Sequence, residues 1–231
     1  MQSGCRLFAL LLTVAAIGVS MSAIAREPSF EALKAKAENG DPDAQLEVAG
    51  AYAAGRGTRR DSAQVVIWCR KAADQGLAAA QNCMGSLYQS GSGVPQDNSE
   101  AAKWYGKAAA QGDAEANTNL GYMYDGGLGV ERDQRKAVEL YRIGAEKGSL
   151  NGMLDLGLCY LNGEGVEPDL VEAYMWLDLV RFYTQRSSNM RLKWNARHEL
   201  DELKKKMTPQ QIDAAEARGS EWDKAHRPKS R

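Results

Sequence analysis

The chain has 231 residues, of which 44% are hydrophobic and 26% charged, a balance that fits a folded, soluble protein. Ala and Gly are abundant, Phe and Pro are few, and β-branched runs are scarce, which argues against a sheet protein. The formal net charge is −1; a chain with no basic excess is a poor candidate for nucleic-acid binding.

Residues 1–25 read as a signal peptide. Arg6 is a positive start, Leu7 to Val19 is an apolar stretch, and Ala23-Ile24-Ala25 offers small residues for cleavage after Ala25. An uncleaved anchor is the alternative, because about 20 apolar residues can span a bilayer. Cys5 precedes the apolar stretch, so it is not placed like a lipoprotein cysteine, and no later segment is long and apolar enough to span. Processing removes one basic residue, Arg6, leaving 28 basic and 30 acidic groups and a net charge of −2. That charge is uneven: residues 26–185 carry 16 basic and 23 acidic groups, whereas residues 186–231 carry 12 and 7. The basic end reads either as a solvated helical cap or as a segment that docks on the acidic body or an anionic partner.

After the leader, an offset of 36 residues aligns the chain with itself. Tyr52, Tyr88, Tyr124 and Tyr160 share one column. So do Gly55, Gly91, Gly127 and Gly163, then Gly57, Gly93, Gly129 and Gly165, then Asp61, Asp97, Asp133 and Asp169. Trp68, Trp104, Leu140 and Trp176 form another column, and Gly40, Gly76, Gly112 and Gly148 close each unit. The units run 44–79, 80–115, 116–151 and 152–185. Residues 29–43 precede them as a half unit, in which Ser29 to Asn39 is an orphan second helix that caps the array.

Each unit reads as two helices. In the first, Ala80, Met84 and Leu87-Tyr88 recur at spacings of three and four, giving one apolar stripe. Ala49, Gly85, Gly121 and Gly157 are small enough to admit a neighbouring helix. The Gly-x-Gly step ends that helix, and Val94, Val130 and Val166 are expected to tuck under the turn. Asp97 with Glu100, Asp169 with Glu172 and Asp61 with Gln64 have capping-box spacing; Asp133 with Lys136 lacks the reciprocal acceptor, so that helix start is expected to be weaker. The second helix carries Ala101, Trp104, Tyr105 and Ala108-Ala109. One unit of about 36 residues cannot bury enough surface alone, so neighbours must stack to hide it. The tryptophans are repeat-equivalent and therefore read as core rather than as a ligand cage.

The fourth unit departs from the pattern after Trp176, where Asp178 to Tyr183 replace the expected Lys-Ala-Ala-x-x-Gly. A polar stretch follows, then a helical stripe of Leu192, Ala196, Leu200, Leu203 and Met207. Thr208-Pro209-Gln210-Gln211 signals another helix start. Residues 186–231 thus form a C-terminal helical cap and basic tail, with a disordered end near Arg227–Arg231.

Residues 116–130, from Ala116 through Gly121-Tyr122-Met123-Tyr124 to Val130, resemble the Sel1-like repeat, as does Lys103-Trp104-Tyr105-Gly106-Lys107-Ala108-Ala109-Ala110-Gln111-Gly112. That family is similar to tetratricopeptide repeats, with a longer inter-helix loop. The resemblance covers residues 30 to about 185. It implies an all-α, right-handed α/α superhelical solenoid serving as a platform for protein assembly.

Catalytic chemistry finds little support. His198 and His226, the only histidines, lie in the cap without zinc-ligand or nucleophile–base spacing. The glycines recur by repeat, so they are not a phosphate loop. No catalytic residue, metal site or cofactor is expected. Cys69 and Cys83 lie on successive antiparallel helices at comparable distances from the Gly76 turn. They read as a possible disulfide or, with Cys159, as three small buried thiols. Some Sel1-like proteins are stapled across this same helix pair, with cysteines nearer the turn.

By analogy with related repeats, the first helices line a concave face. Gln81, Asn117, Asn119 and Tyr122 are candidates for a groove that holds an extended peptide, since amides both donate and accept; ordinary solvated positions are the bland alternative. The leading expectation is a periplasmic or secreted scaffold that binds a protein or peptide partner in the bacterial envelope, with no nucleic acid and no stable membrane insertion after processing. A cell-wall or β-lactam-processing enzyme and a secreted effector binding host proteins are the competing readings.

Overall fold

The computed structural model describes residues 29–185 and 189–226; the expected signal peptide and the Arg227–Arg231 end lie outside them. Eleven helices and no strand make up the described residues. They are α1 (Phe30–Glu38), α2 (Pro42–Ala54), α3 (Ser62–Asp74), α4 (Ala78–Ser90), α5 (Asn98–Ala110), α6 (Ala114–Gly126), α7 (Gln134–Glu146), α8 (Leu150–Asn162), α9 (Leu170–Tyr183), α10 (Met190–Lys204) and α11 (Pro209–His226). Hairpins α2–α3, α4–α5, α6–α7 and α8–α9 stack in chain order, each second helix packing on the next first helix. The orphan helix α1 packs on α2 as α3 does on α4. The first helices start at 42, 78, 114 and 150, two residues ahead of the units read from the sequence.

The repeated glycines have two different tasks. Gly91 closes α4 in the left-handed conformation at φ 71°, its N–H returning to the Leu87 carbonyl. Gly93 is needed for proximity as well: a Cβ there would lie 2.5 Å from the Ser62 carbonyl oxygen of the preceding hairpin. The turn of one repeat therefore rests on the backbone that opens the second helix before it. Inside the hairpin, a Cβ on Gly85 would meet the Tyr105 ring at 2.5 Å. This contact sets α4 close against α5 and gives the helix-interior glycine, which costs about 1 kcal/mol relative to Ala, its packing reason.

The second helices start on aspartates, but not through full capping boxes. Asp61, Asp97 and Asp133 each accept from the N–H three residues on, at 3.0 Å, and Asp169 accepts from Val171 and Glu172. Their own N–H groups donate to the carbonyls of Tyr52, Tyr88, Tyr124 and Tyr160. The tyrosine column thus fills the role expected of the Glu or Gln, and α7, with Lys136 at that place, starts as the others do. Both arms of a capping box do form at the start of α11, between Thr208 and Gln211.

The core follows the repeated columns. Trp68, Trp104 and Trp176 are buried, and Val94, Val130 and Val166 are half-buried against it. The indole N–H groups of Trp68 and Trp176 share one repeat column and have no hydrogen-bond partner. In the cap, Leu192, Ala196, Leu200, Leu203 and Met207 face inward. α11 lies along α9, where Arg218 pairs with Glu172 at 2.8 Å.

Candidate interaction surface

Neighbouring first helices approach one another, α4 to α6 and α6 to α8, more closely than neighbouring second helices do. The first-helix row therefore lies on the inside of the curve. Side chains bridge it: the Asn119 amide donates to the Asn82 oxygen at 3.0 Å, and the Asn151 amide donates to Glu115 at 3.3 Å. Tyr122 stands beside Asn119 and Glu115 on the same face of α6 and is 51% exposed. Asp125 of α6, which accepts from the Gln134 amide at 3.3 Å, lies near enough to Asp155 of α8 for their charges to interact. Burial, then Asp125, then Glu115 push the Asp155 carboxyl up to about 7.

Two of the four expected groove residues do not reach this surface. Gln81 is 7% exposed and Asn117 2%. The Gln81 amide donates to the Ala73 carbonyl, and the Asn117 amide donates to those of Asp113 and Ala109. Gln45 does the same with Ala37. The last carbonyls of a helix have no partner within its regular ladder; the turn glycines Gly40, Gly76 and Gly112 donate to those of Ala37, Ala73 and Ala109, and the amide column adds a second donor from the next repeat. Gln75 and Gln111 then donate to the oxygens of Gln45 and Gln81. These amides tie repeats together and are unavailable to a peptide. Asn119 and Tyr122 remain on the inner face, joined by Glu115, Asp125 and Asp155, of which only Asp155 shared a column with an expected groove residue.

Cys69 and Cys83 are joined as a disulfide between α3 and α4, with Cα atoms 6.3 Å apart. Cys159 is a buried free thiol. Burial and the charges of Asp125, Glu164 and Asp155 push it up to about 12, so it is held as the unreactive thiol at neutral pH. His198 stacks on Trp194 and His226 on Trp222. Among the described residues, no group of three or more His, Cys, Asp or Glu is placed to hold a metal ion, and no helix is long and apolar enough to cross a membrane.

Comparison with known proteins agrees with this architecture. The Sel1 repeat family model matches residues 42–77, 78–113, 114–149 and 150–179, in the frame of the observed helices. A crystal structure of a protective antigen present in uropathogenic Escherichia coli strains, described as an SLR fold, superposes with a TM-score of 0.75 at 30% identity. The match covers 85% of this chain and 41% of that one, so the present chain spans about two fifths of the antigen's length. A Sel1 repeat protein from Oxalobacter formigenes superposes with a TM-score of 0.68 at 29% identity, covering 87% of this chain and 77% of that one. No curated protein matches. Sel1 repeats generally bind protein partners. With four matched repeats over most of its length and the fold to go with them, this chain belongs to the Sel1 repeat family.

Proposed function

We propose that the chain is an interaction scaffold of the bacterial cell envelope whose inner first-helix row takes up an extended, cationic segment of a partner protein. The observation that carries this reading is the composition of the inner face across α6 and α8. Exposed Tyr122 offers a ring for a side chain to lie on, and Asn119, one N–H of which is held by Asn82, keeps its oxygen and second N–H for a backbone group. Glu115, Asp125 and Asp155 supply negative charge, and Asp155 sits where solvent screening is reduced. A lysine or arginine docking between Asp125 and Asp155 relieves their mutual repulsion, so the site favours a cation.

Export is supported by two independent features, the leader-like residues 1–25 and the Cys69–Cys83 disulfide, a bond favoured in oxidising compartments. Catalysis has weaker support. The free thiol is buried and protonated, and each histidine lies flat on a tryptophan instead of beside a nucleophile.

Photo-crosslinking in living cells tests the assignment. A benzophenone amino acid at Tyr122 is expected to capture a partner, and one at Lys103, on the exposed face of second helix α5, is expected not to. Capture from Lys103 but not from Tyr122 would place the interaction on the wrong row.

A further inference from the structure

Among the described residues, the last member of the first-helix row has no hairpin partner. α10 packs on α9 and reaches α8, as α6 packs on α5 and reaches α4. It stands where a fifth repeat would begin. α11 then packs on α9 instead of returning along α10. No element among the described residues covers the face of α10 that an internal repeat would bury under its own second helix and the next unit.

That face is chemically distinctive. Met190 and Trp194, four residues apart, are 68% and 66% exposed. The His198 ring lies flat on the Trp194 indole, with centroids 5.2 Å apart. Lys193, Arg197 and Lys204 fall along one edge of the stripe and Arg191 along the other. Asp201 is the one acidic residue that helical spacing places within the stripe, and the nearby Glu202 is taken by Lys205 at 2.5 Å. The opposite end of the array is built differently. Where internal second helices carry Val65, Trp68 and Ala72, the orphan helix α1 has its cap Ser29, then Ala32 and Lys36. Those residues seal the N-terminal end with small and polar groups, as terminal repeats require. An exposed indole and thioether are thus not what the end of such a stack demands.

Lys204 leans over the Tyr174 ring and Lys193 also donates to the Gln185 carbonyl, which leaves an indole and a thioether flanked by Arg191, Lys193 and Arg197, a combination that matches the outer layer of an anionic bilayer. Indoles settle at headgroup depth, apolar side chains enter the acyl boundary, and lysine and arginine meet phosphate. We propose that the open face of α10, through Trp194, Met190, Lys193 and Arg197, docks the C-terminal end of the solenoid peripherally on an anionic phospholipid surface. The inner row stays free for a protein partner, so this assignment stands apart from the one made for that row.

Vesicle binding decides it. The probe is chain 26–231, which keeps every described element, mixed with vesicles of phosphatidylcholine alone or with about one third phosphatidylglycerol. Sedimentation with the anionic vesicles only is expected, together with a blue shift of tryptophan emission. Trp68, Trp104 and Trp176 are already buried, and Trp222 is half-buried between Trp176 and His226, so Trp194 is the tryptophan free to change environment and a W222F variant should keep the shift. W194A should abolish the shift, and K193E/R197E should weaken partition at least about tenfold. All three side chains lie outside the core, and an unchanged helical circular dichroism spectrum confirms that the variants fold. No binding, equal binding to both vesicle types, or binding indifferent to these substitutions would overturn the proposal. So would Trp194-dependent association with an acidic protein in the absence of vesicle binding.

Discussion

Two junctions of this array share a backbone plan and are held by different chemistry. Between the first and second hairpins, α4 starts at Leu77 with no side-chain cap, and the disulfide Cys69–Cys83 ties α3 to α4. Between the third and fourth, there is no covalent link. Ser149 caps α8, and its hydroxyl also meets the buried Thr118 hydroxyl of α6 at 3.0 Å. Gly144 and Gly152 let α7 and α8 close around that threonine: a Cβ at either would lie 2.4 Å or 2.7 Å from its oxygen. The cores differ in the same sense. The N-terminal cluster is rich in alanine, whereas the C-terminal one gathers Tyr141, Met153, Leu156, Tyr174, Trp176 and Leu177. A repeat thus constrains geometry more than composition. Where large side chains interdigitate, glycine and a hydroxyl pair suffice; where alanines meet, a covalent staple reinforces the contact.

The comparison can be broken at several points. Trp104→Ala removes the largest side chain that the alanine-rich cluster shares with the second hairpin, and should cost roughly 3–5 kcal/mol in a denaturant titration. An unchanged unfolding midpoint would contradict the core placement. Replacing both Cys69 and Cys83 with Ser should cost about 3 kcal/mol, the scale for a closed loop of about 15 residues. Limited proteolysis should then open the chain first near Gly76, and cleavage first near Gly148 would show that the staple is not what holds the weaker junction. Gly144→Ala drives a Cβ against Thr118 and the Ala114 carbonyl, and should cost about 1–3 kcal/mol with the disulfide intact. Leu77→Asp gives α4 the cap that Asp41, Asp113 and Ser149 give its equivalents. It should raise the thermal midpoint slightly, a gain of up to about 1 kcal/mol less the lost Leu77 packing.

Much of this was legible in the sequence because it was written four times. The 36-residue register placed the tryptophan core, the aspartate starts and the close approach at Gly85 without any structure. What it obscured were positions whose partner lies in the neighbouring repeat. Gln81 and Asn117 look like solvated polar residues within their own helix; only the stack shows the terminal carbonyls of the preceding helix beside them. Their recurrence with Gln45, and that of Gln75 with Gln111, was the available signal, since a solvated amide has no reason to repeat. The role of the tyrosine carbonyls was hidden because a backbone group leaves no mark in the sequence. The place of α10 was hidden for another reason. Its cap Asn189 lies 40 residues after Ser149, which breaks the register that would have identified it as the next first helix. Glu115 and Asp125 went unremarked because acidic residues on helices are usually solvated. Their significance arises only where α6 and α8 bring Asp125 toward Asp155.

That last juxtaposition carries a pH dependence of definite sign. The Asp155 carboxyl is raised in the folded chain from an ordinary value of 3.8 to about 7. The folded state therefore holds a proton that the unfolded chain releases, and this contribution to stability is present below pH 4 and lost as pH rises toward 7. Asp155→Asn should flatten that slope. A bound cation does the reverse of burial and favours the carboxylate. The direct test is an NMR titration of the Asp155 side-chain carbon, in the chain alone and with an extended lysine- and arginine-containing peptide. The account predicts a midpoint about 7 that falls when the peptide binds; a midpoint in the ordinary carboxylate range, unmoved by the peptide, would contradict it.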